Sequence, residues 1–309
     1  MEGWLRLCVR DGVSARCPPW PSRGEDEPED RRDRHVDRHA RPRLALDDAP
    51  GHRPAPDAKL PAPEAAAPVE WLLQDMEEYG IDRCVLVQSS AFGWDNRYMV
   101  ECLQRYPDTF KAIGLVDPLD ASNAEQLRSW SRQGLSGFRF HPLYYPDLPV
   151  WIDSPAHDQL WEAAAQTGSI LQFHMHPHHA DALYRIAARH PRTRVIVDHL
   201  GKPNVGEPPP YPSFQAVLRL AELPNVWVKI GDYQIASKEQ FPWRDTWPFV
   251  ALLKEHFGVE RMMWGTGYAR HARLVPLGQA LEYARGLPCW QPGDLDQVLG
   301  ETPRRLFGF

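Results

Sequence analysis

The chain has 309 residues, 43% of them hydrophobic, and a formal net charge of −6 at pH 7. This length suits one large α/β domain or two small ones. The acidic balance gives no reason to expect nucleic acid or an anionic membrane as a partner, and no run of eighteen apolar residues could span a bilayer. Five scattered cysteines without a CxxC pair, and the lack of a secretory signal pattern, favour a cytoplasmic protein without disulfides.

The first 46 residues differ in composition from the rest of the chain. They contain charged stretches such as EDEPEDRRDRHVDRHARPR, and no apolar periodicity runs through them. Such a segment buries too little surface to offset its chain entropy. We therefore expect an irregular segment over 1–46 and a folded domain over 47–309.

From Val69 onward, predicted helices and strands alternate. The first helix places apolar residues at helical spacing up to Tyr79 and ends at Gly80, and the last part of the chain, 272–307, is mostly helical in pattern. Short apolar runs predict seven strands between the helices: RCVLVQ (83–88), FKAIGLV (110–116), LSGFRF (135–140), SILQF (169–173), TRVIVD (193–198), NVWVKI (225–230) and RMMWG (261–265).

Buried strands that alternate with helices are typical of a parallel sheet. A doubly wound sheet and an eight-stranded barrel both fit this pattern. No GxGxxG or Walker motif favours nucleotide binding. One further strand near the N-terminus would close a barrel.

Candidate functional residues follow the predicted strands, where parallel α/β folds place their chemistry. His174 comes directly after one strand and His199 directly after the next. A single histidine here is more simply a hydrogen-bonded rim residue, but two at equivalent positions favour a metal pair. Neutral imidazole is the commonest ligand of zinc and its neighbours.

Several segments resemble one known family. FHMHPHHADALYRIAARHPRTRVIVDHLGKP (173–203), DNRYMVECLQRYPDTFKAIGLVDP (95–118), GFRFHP, VWVKIGDY, RMMWGTGYARH and LGETPRRLFGF are similar to segments of the amidohydrolase-related (amidohydrolase-2) family, over about 47–309. This family includes sugar lactonases, pyrone-dicarboxylate lactonase and some decarboxylases. The resemblance implies a (β/α)₈ TIM barrel, here with a degraded or irregular first strand.

The resemblance also implies a metal site: an HxH pair on the first strand, one histidine on each of strands 5 and 6, and an aspartate on strand 8. Carried over to this chain, His39, His174 and His199 are the expected ligands of a divalent ion, with zinc as the first expectation. His174 and His199 are also the expected catalytic residues. The closest match to the strand-1 pattern is Val36–Arg41, where Arg41 replaces the second histidine of the HxH pair, and Gly267 replaces the aspartate of strand 8.

Positions on and after the predicted strands suggest substrate-binding roles for Arg139, His141 and Lys229. Tyr144, after strand 4, could line an aromatic pocket for a ring-shaped substrate, with packing of a long loop as an equal alternative. Arg139 and Lys229 would clamp a substrate carboxylate or carbonyl, and a buried ion pair is an equal alternative. The loop after strand 5 contains further histidines, which are more simply a solvated loop than a substitute metal ligand: His176, His178 and His179.

The predicted function is hydrolysis of a cyclic ester, a lactone, or a related small carbonyl compound by activated water. Gly267 and Arg41 leave two alternatives open: a ligand-binding barrel without catalysis, and a decarboxylase of the same family. A shifted reading frame would account for residues 1–46 but not for Gly267, which lies in an intact motif. A small-molecule substrate is the expected partner, and a homo-oligomer is left open.

Overall fold

The computed structural model describes residues 5–9, 68–90, 93–142, 152–267 and 275–309, and for residues 5–9 it describes the backbone alone. The strands of this part of the chain form one closed barrel in sequential order. They are β1 (Leu5–Val9), β2 (Arg83–Val87), β3 (Phe110–Gly114), β4 (Gly137–Phe140), β5 (Ile170–Phe173), β6 (Arg194–Val197), β7 (Val226–Ile230) and β8 (Met262–Thr266).

Helices follow the strands and cover the outside of the barrel. They are α1 (Val69–Tyr79), α2 (Arg97–Arg105), α3 (Asn123–Arg132), α4 (Asp158–Thr167), α5 (Ala180–Arg189), α6 (Gln215–Arg219), α7 (Tyr233–Ala236), α8 (Trp247–Phe257), α9 (Leu277–Arg285), α10 (Asp294–Asp296) and α11 (Thr302–Phe307). Gly80 ends α1 in the left-handed conformation, as its sequence predicts. No helix in the described ranges is long and apolar enough to cross a membrane.

The predicted barrel architecture is confirmed, and all seven predicted strands are present. β2 to β8 are parallel to their neighbours, whereas β1 pairs antiparallel with both β2 and β8. The irregular first strand that the sequence predicts is therefore an antiparallel one. It lies at Leu5–Val9. Val36–Arg41, the closest match to the family pattern of strand 1, lies outside the described residues.

Two apolar clusters stabilise the fold. The inner one fills the barrel and is closed at its lower end by two residues of α11; its members are Val85, Val87, Ile113, Ile170, Ile196, Met263, Leu306 and Phe307. The larger outer cluster joins the other faces of the strands to the helices. The inner apolar layer ends about halfway along the barrel, and polar side chains take its place toward the C-terminal ends of the strands.

Candidate active site

Strand alternation determines which polar side chains enter the barrel. Ile170, Ile196 and Met263 belong to the inner cluster, and a residue two positions further along each strand shares that face. Gln172 and Asp198 therefore also point inward. On β4 and β7 the flanking apolar residues belong to the outer cluster, so that Arg139 and Lys229 point inward as well. These four residues, Arg139, Gln172, Asp198 and Lys229, are called the ionic layer.

Asp198 is the centre of the ionic layer. One of its oxygens, Oδ2, lies 2.9 Å from Nε of Arg139, and the other, Oδ1, forms an ion pair with Nζ of Lys229. The side-chain amide of Gln172 donates to both carboxylate oxygens, at 2.9 Å each. All four side chains are almost fully buried. Removing one of the three charged members would leave buried charge uncompensated, which is strongly unfavourable.

Charge interactions keep Asp198 ionised. Burial alone would raise the pKa of Asp198, but Lys229 and Arg139 outweigh burial and hold that pKa well below its usual range. Burial lowers the pKa of Lys229, and Asp198 opposes that effect. An ionised carboxylate that is paired with two cations and accepts from an amide is a poor proton acceptor, so Asp198 organises the barrel rather than acting as a base.

Three histidines lie above the ionic layer, and we call them the mouth histidines: His141 after β4, His174 after β5 and His199 after β6. The ring centroids of His141 and His174 are 5.5 Å apart, and those of His174 and His199 are 4.8 Å apart. Burial, with Arg139 as a further cause, lowers the pKa of His141 and of His174 well below the usual value. The imidazoles of His141 and His174 are therefore neutral at pH 7.

His199 contacts charged groups through both ring nitrogens. Its Nε2 lies 3.3 Å from Nη2 of Arg139, and its Nδ1 lies 3.0 Å from Oδ2 of Asp232, although the ring is not aligned for a linear bond to that carboxylate. Burial is the main cause that lowers the pKa of His199 to about 4, against the opposing effects of Asp232 and Asp198. The Nδ1 atom of His174 is buried and has no hydrogen-bond partner among the described residues.

Sequence reasoning placed five residues correctly at the C-terminal end of the barrel: Arg139, His141, His174, His199 and Lys229. Of the two interpretations of Arg139 and Lys229, the structure shows the buried ion pair, with one carboxylate shared between the two cations. Their role in substrate binding stays a prediction.

The other residues that the sequence suggested are His39, Tyr144 and the three histidines of the loop after β5. His39 and Tyr144 lie outside the described residues. His176, His178 and His179 contact one another on the turn after β5, with the rings of His178 and His179 3.9 Å apart.

Three residues of the candidate site were missed: Gln172, Asp198 and Asp232. For Gln172 and Asp198 a signal existed, because each is a polar residue at an inward position of an otherwise apolar strand run. Asp232 follows Gly231 in a loop, and no local pattern marks it.

The residues that surround the mouth histidines do not fit a divalent metal ion. No group of three or more histidine, cysteine, aspartate or glutamate side chains in the described ranges could hold one. The guanidinium of Arg139 lies beside Nε2 of His199, the atom that would bind the ion, and a glycine stands where the strand-8 carboxylate would be. The two buried cations are already balanced by the carboxylates of Asp198 and Asp232, so an added ion would leave excess positive charge in a buried site.

A closed (β/α)₈-type barrel with polar and imidazole groups at the C-terminal ends of its strands defines a class of barrel enzymes. Within that class the chain belongs to the amidohydrolase family, because the family model described as amidohydrolase matches residues 16–309. The predicted family is therefore confirmed, and the match begins upstream of residue 47.

Individual hydrolases and one solved amidohydrolase structure are also similar to this chain. The chain is 26% identical to a 4-sulfomuconolactone hydrolase of Rhizobium radiobacter, over 81% of this chain and 83% of the relative. It is 28% identical to an L-fucono-1,5-lactonase of Burkholderia ambifaria, over 76% of this chain and 81% of the relative. An amidohydrolase from Burkholderia multivorans, solved with bound zinc, has a similar fold, with a TM-score of 0.68, 17% identity, and coverage of 78% of this chain and 88% of that one.

Proposed function

We propose that this chain is a hydrolase that opens the ring of a small lactone by attack of water on the ring carbonyl. The observation that carries the proposal is the cluster of three neutral imidazoles at the ends of successive strands, with His141 and His199 buried and His174 half-buried, beside a buried guanidinium. Two relatives that match most of this chain are named for lactone hydrolysis, which supports a lactone as the substrate class.

The groups required for such a reaction lie within one cluster. A neutral imidazole can take a proton from the attacking water, a role that typically contributes 10²–10⁴-fold to a rate. The Arg139 guanidinium provides a fixed positive charge where the carbonyl oxygen becomes negative, which is the electrostatic part of acyl-transfer catalysis. Because His141, His199 and Arg139 are buried, these groups act in an environment of low polarity, where charge interactions are stronger than in water.

The proposal does not assign a metal ion to the reaction. A divalent ion in this chain was predicted from the family resemblance, but the guanidinium beside His199 and the glycine at position 267 disfavour it. We expect lactone opening to continue after dialysis against a chelator. Loss of activity on chelation, with recovery on adding zinc, would show that the family's metal chemistry operates here after all.

A second candidate function is ligand binding without catalysis, and Gly267 favours it because the family pattern has a carboxylate at that position. A panel of 1,4- and 1,5-lactones, neutral and anionic, separates the two candidates when ring opening is followed with a pH indicator. Turnover above the spontaneous rate supports the hydrolase. Saturable binding of a lactone without turnover, in both the wild type and Gly267→Asp, would support the binding protein.

A further inference from the structure

Four successive residues after β6 form a left-handed turn at the mouth of the barrel. His199, Leu200, Gly201 and Lys202 have φ of 49°, 59°, 69° and 53°. Residues with a Cβ atom seldom adopt this conformation, and they hardly ever do so in succession. Local strain of this kind persists only where the surrounding structure holds it, and it is commonest at functional sites. The turn therefore points to a function for the side chains that it presents.

Hydrogen bonds and packing fix this turn. The backbone N–H of Gly201 donates to the carbonyl of Asp198 at 2.8 Å, and that of Lys202 donates to the carbonyl of His199 at 2.9 Å. A Cβ atom on Gly201 would lie 2.6 Å from a methyl carbon of Val217, so α6 packs closely against the turn. The backbone of Lys202 therefore has a fixed position relative to the mouth histidines.

The charge of Lys202 acts on the β4 and β5 side of the mouth. Burial is the main cause that lowers the pKa of His141, His174 and His176, and Lys202 is a further cause for each of the three. These histidines follow β4 and β5, so the side chain of Lys202 extends from the end of β6 toward them. Lys202 is half-buried, whereas the cations of the ionic layer are almost fully buried. A ligand that enters the mouth therefore meets Lys202 before it reaches the ionic layer.

The charges around the mouth histidines leave room for one anion. The charged side chains that act on these rings are three cations, Arg139, Lys202 and Lys229, and two carboxylates, Asp198 and Asp232. Their balance is one positive charge, which a single carboxylate on a ligand would neutralise. The two carboxylates of the site already have partners, because Asp198 contacts both buried cations and Asp232 lies beside His199.

The hydrogen-bonding groups of the site agree with this balance. Arg139 directs Nε at Asp198 and Nη2 at His199, and its third nitrogen, Nη1, has no hydrogen-bond partner among the described residues. Guanidinium and ammonium groups can only donate. A ligand that fits between Arg139 and Lys202 should therefore present acceptor oxygens to both of them.

We propose that Lys202 is a specificity residue that binds a carboxylate group on the ring of the lactone, so that the substrate is an anionic lactone rather than a neutral one. This inference rests on the proposed lactone hydrolysis. The ring carbonyl lies toward Arg139 and the carboxylate toward Lys202, so two cations at different depths orient the ring. Lys202 binds the substrate and takes no part in making or breaking bonds.

A half-buried ammonium is suited to selecting an anion from solution. Hydrogen bonds between charged partners are stronger than those between neutral ones. A neutral ligand would displace water from the ammonium without forming an ion pair, so it should bind less tightly. Because Lys202 is partly exposed, salt should screen its charge and weaken the selection.

A matched pair of lactones tests the inference. One is a five-membered lactone with a carboxylate on the carbon next to the ring oxygen, and the other is its carboxamide, which is neutral and nearly the same size; six-membered homologues extend the pair to the other common ring. In the wild type, kcat/KM should be at least about tenfold higher for the carboxylate, mainly through KM. Raising the ionic strength to about 1 M should reduce this preference.

Substitutions of lysine separate the charge of Lys202 from the rest of the site. Lys202→Met keeps a side chain of similar length and should lose most of the preference for the carboxylate, whereas Lys202→Arg should retain it. Lys111→Met is the matched control, because Lys111 is also a half-buried lysine but lies near the start of β3, at the opposite end of the barrel. This control should keep the preference of the wild type.

Lactams provide a readout that does not depend on turnover. Pyroglutamate and pyroglutamide have the shape of the five-membered lactone pair, and their ring amide is far more resistant to water. By calorimetry, the wild type should bind pyroglutamate at least about tenfold more tightly than pyroglutamide. Lys202→Met should bind the two lactams about equally.

Equal kcat/KM for the two lactones in the wild type would overturn the inference, and so would a preference that is undiminished in Lys202→Met. If the wild type opens neither lactone, the proposed function fails, and the lactam pair decides separately whether Lys202 selects an anion. In that case, failure of the wild type to bind pyroglutamate more tightly than pyroglutamide would overturn the inference as well.

Discussion

Replacement of Asp198 by asparagine removes the negative charge at the centre of the ionic layer and keeps the size of the side chain. Two cations, Arg139 and Lys229, then remain buried without the carboxylate that contacts both of them, at 2% exposure each. Breaking a buried ion pair by removing one partner typically costs about 3–5 kcal/mol. No cavity forms, so the loss of stability is electrostatic. Because one carboxylate contacts both cations, we expect a loss in the upper part of that range.

Urea unfolding followed by circular dichroism measures this loss. With an m-value of about 3 kcal/mol per molar urea, a loss of 3–5 kcal/mol lowers the unfolding midpoint by about 1–1.7 M. Asp181→Asn removes a carboxylate from an ion pair with more than half of each side chain exposed, and should lower stability by less than about 1 kcal/mol. The double variant Asp198→Asn/Lys229→Met should be more stable than Asp198→Asn alone, because one of the two unpaired cations is gone.

A midpoint shift below about 0.3 M in Asp198→Asn, or a double variant that is less stable than the single one, would refute the reasoning. Either result would mean that the two cations are not confined near each other as the structure has them, or that water reaches them readily.

Two further predictions concern the β7–β8 contact and the pH dependence of turnover. A Cβ atom on Gly231 would lie 2.1 Å from the backbone oxygen of Gly265, so Gly231→Ala must move one strand away from the other. We expect the free energy of unfolding, measured in urea, to fall by more than about 3 kcal/mol. A fall of less than about 1 kcal/mol would contradict the tight strand contact. The pKa of His199 is lowered to about 4, and a histidine base is active in its neutral form, above its pKa. If His199 is the base, kcat/KM should therefore stay constant from pH 7 to about pH 5 and fall only near pH 4. A fall centred near the ordinary histidine pKa of about 6.5 would contradict a buried base.

Much of the fold could be predicted because each parallel strand is an apolar run buried on both faces. The position of β1, the strand that closes the barrel, could not be predicted from the sequence. LRLCV shows a two-residue alternation, but it precedes a long charged stretch, and its antiparallel direction departs from the family pattern that directed attention to Val36–Arg41. Pairing within a barrel depends on which edges remain open after the other strands have formed, and the sequence does not record this directly.

The candidate site shows the same division between what alternation determines and what tertiary contacts determine. Alternation and the strand-end rule place Arg139, Lys229 and the mouth histidines at one end of the barrel. They do not say that Asp198 contacts both cations, because its partners come from β4 and β7 on either side of it. Asp232 reaches His199 only through a left-handed turn after β7, a conformation that single-residue patterns do not predict.

The central claim is that a mouth histidine, and not a strand-8 carboxylate or a metal ion, supplies the base for lactone opening. The most direct test is kcat of the chelator-treated wild type against chelator-treated His141→Gln, His174→Gln and His199→Gln, with one lactone at saturating concentration. The wild type should keep its full turnover, and at least one of the three variants should lose at least about 10²-fold. Undiminished turnover in all three variants, or no turnover in the wild type until zinc is added, would contradict the claim.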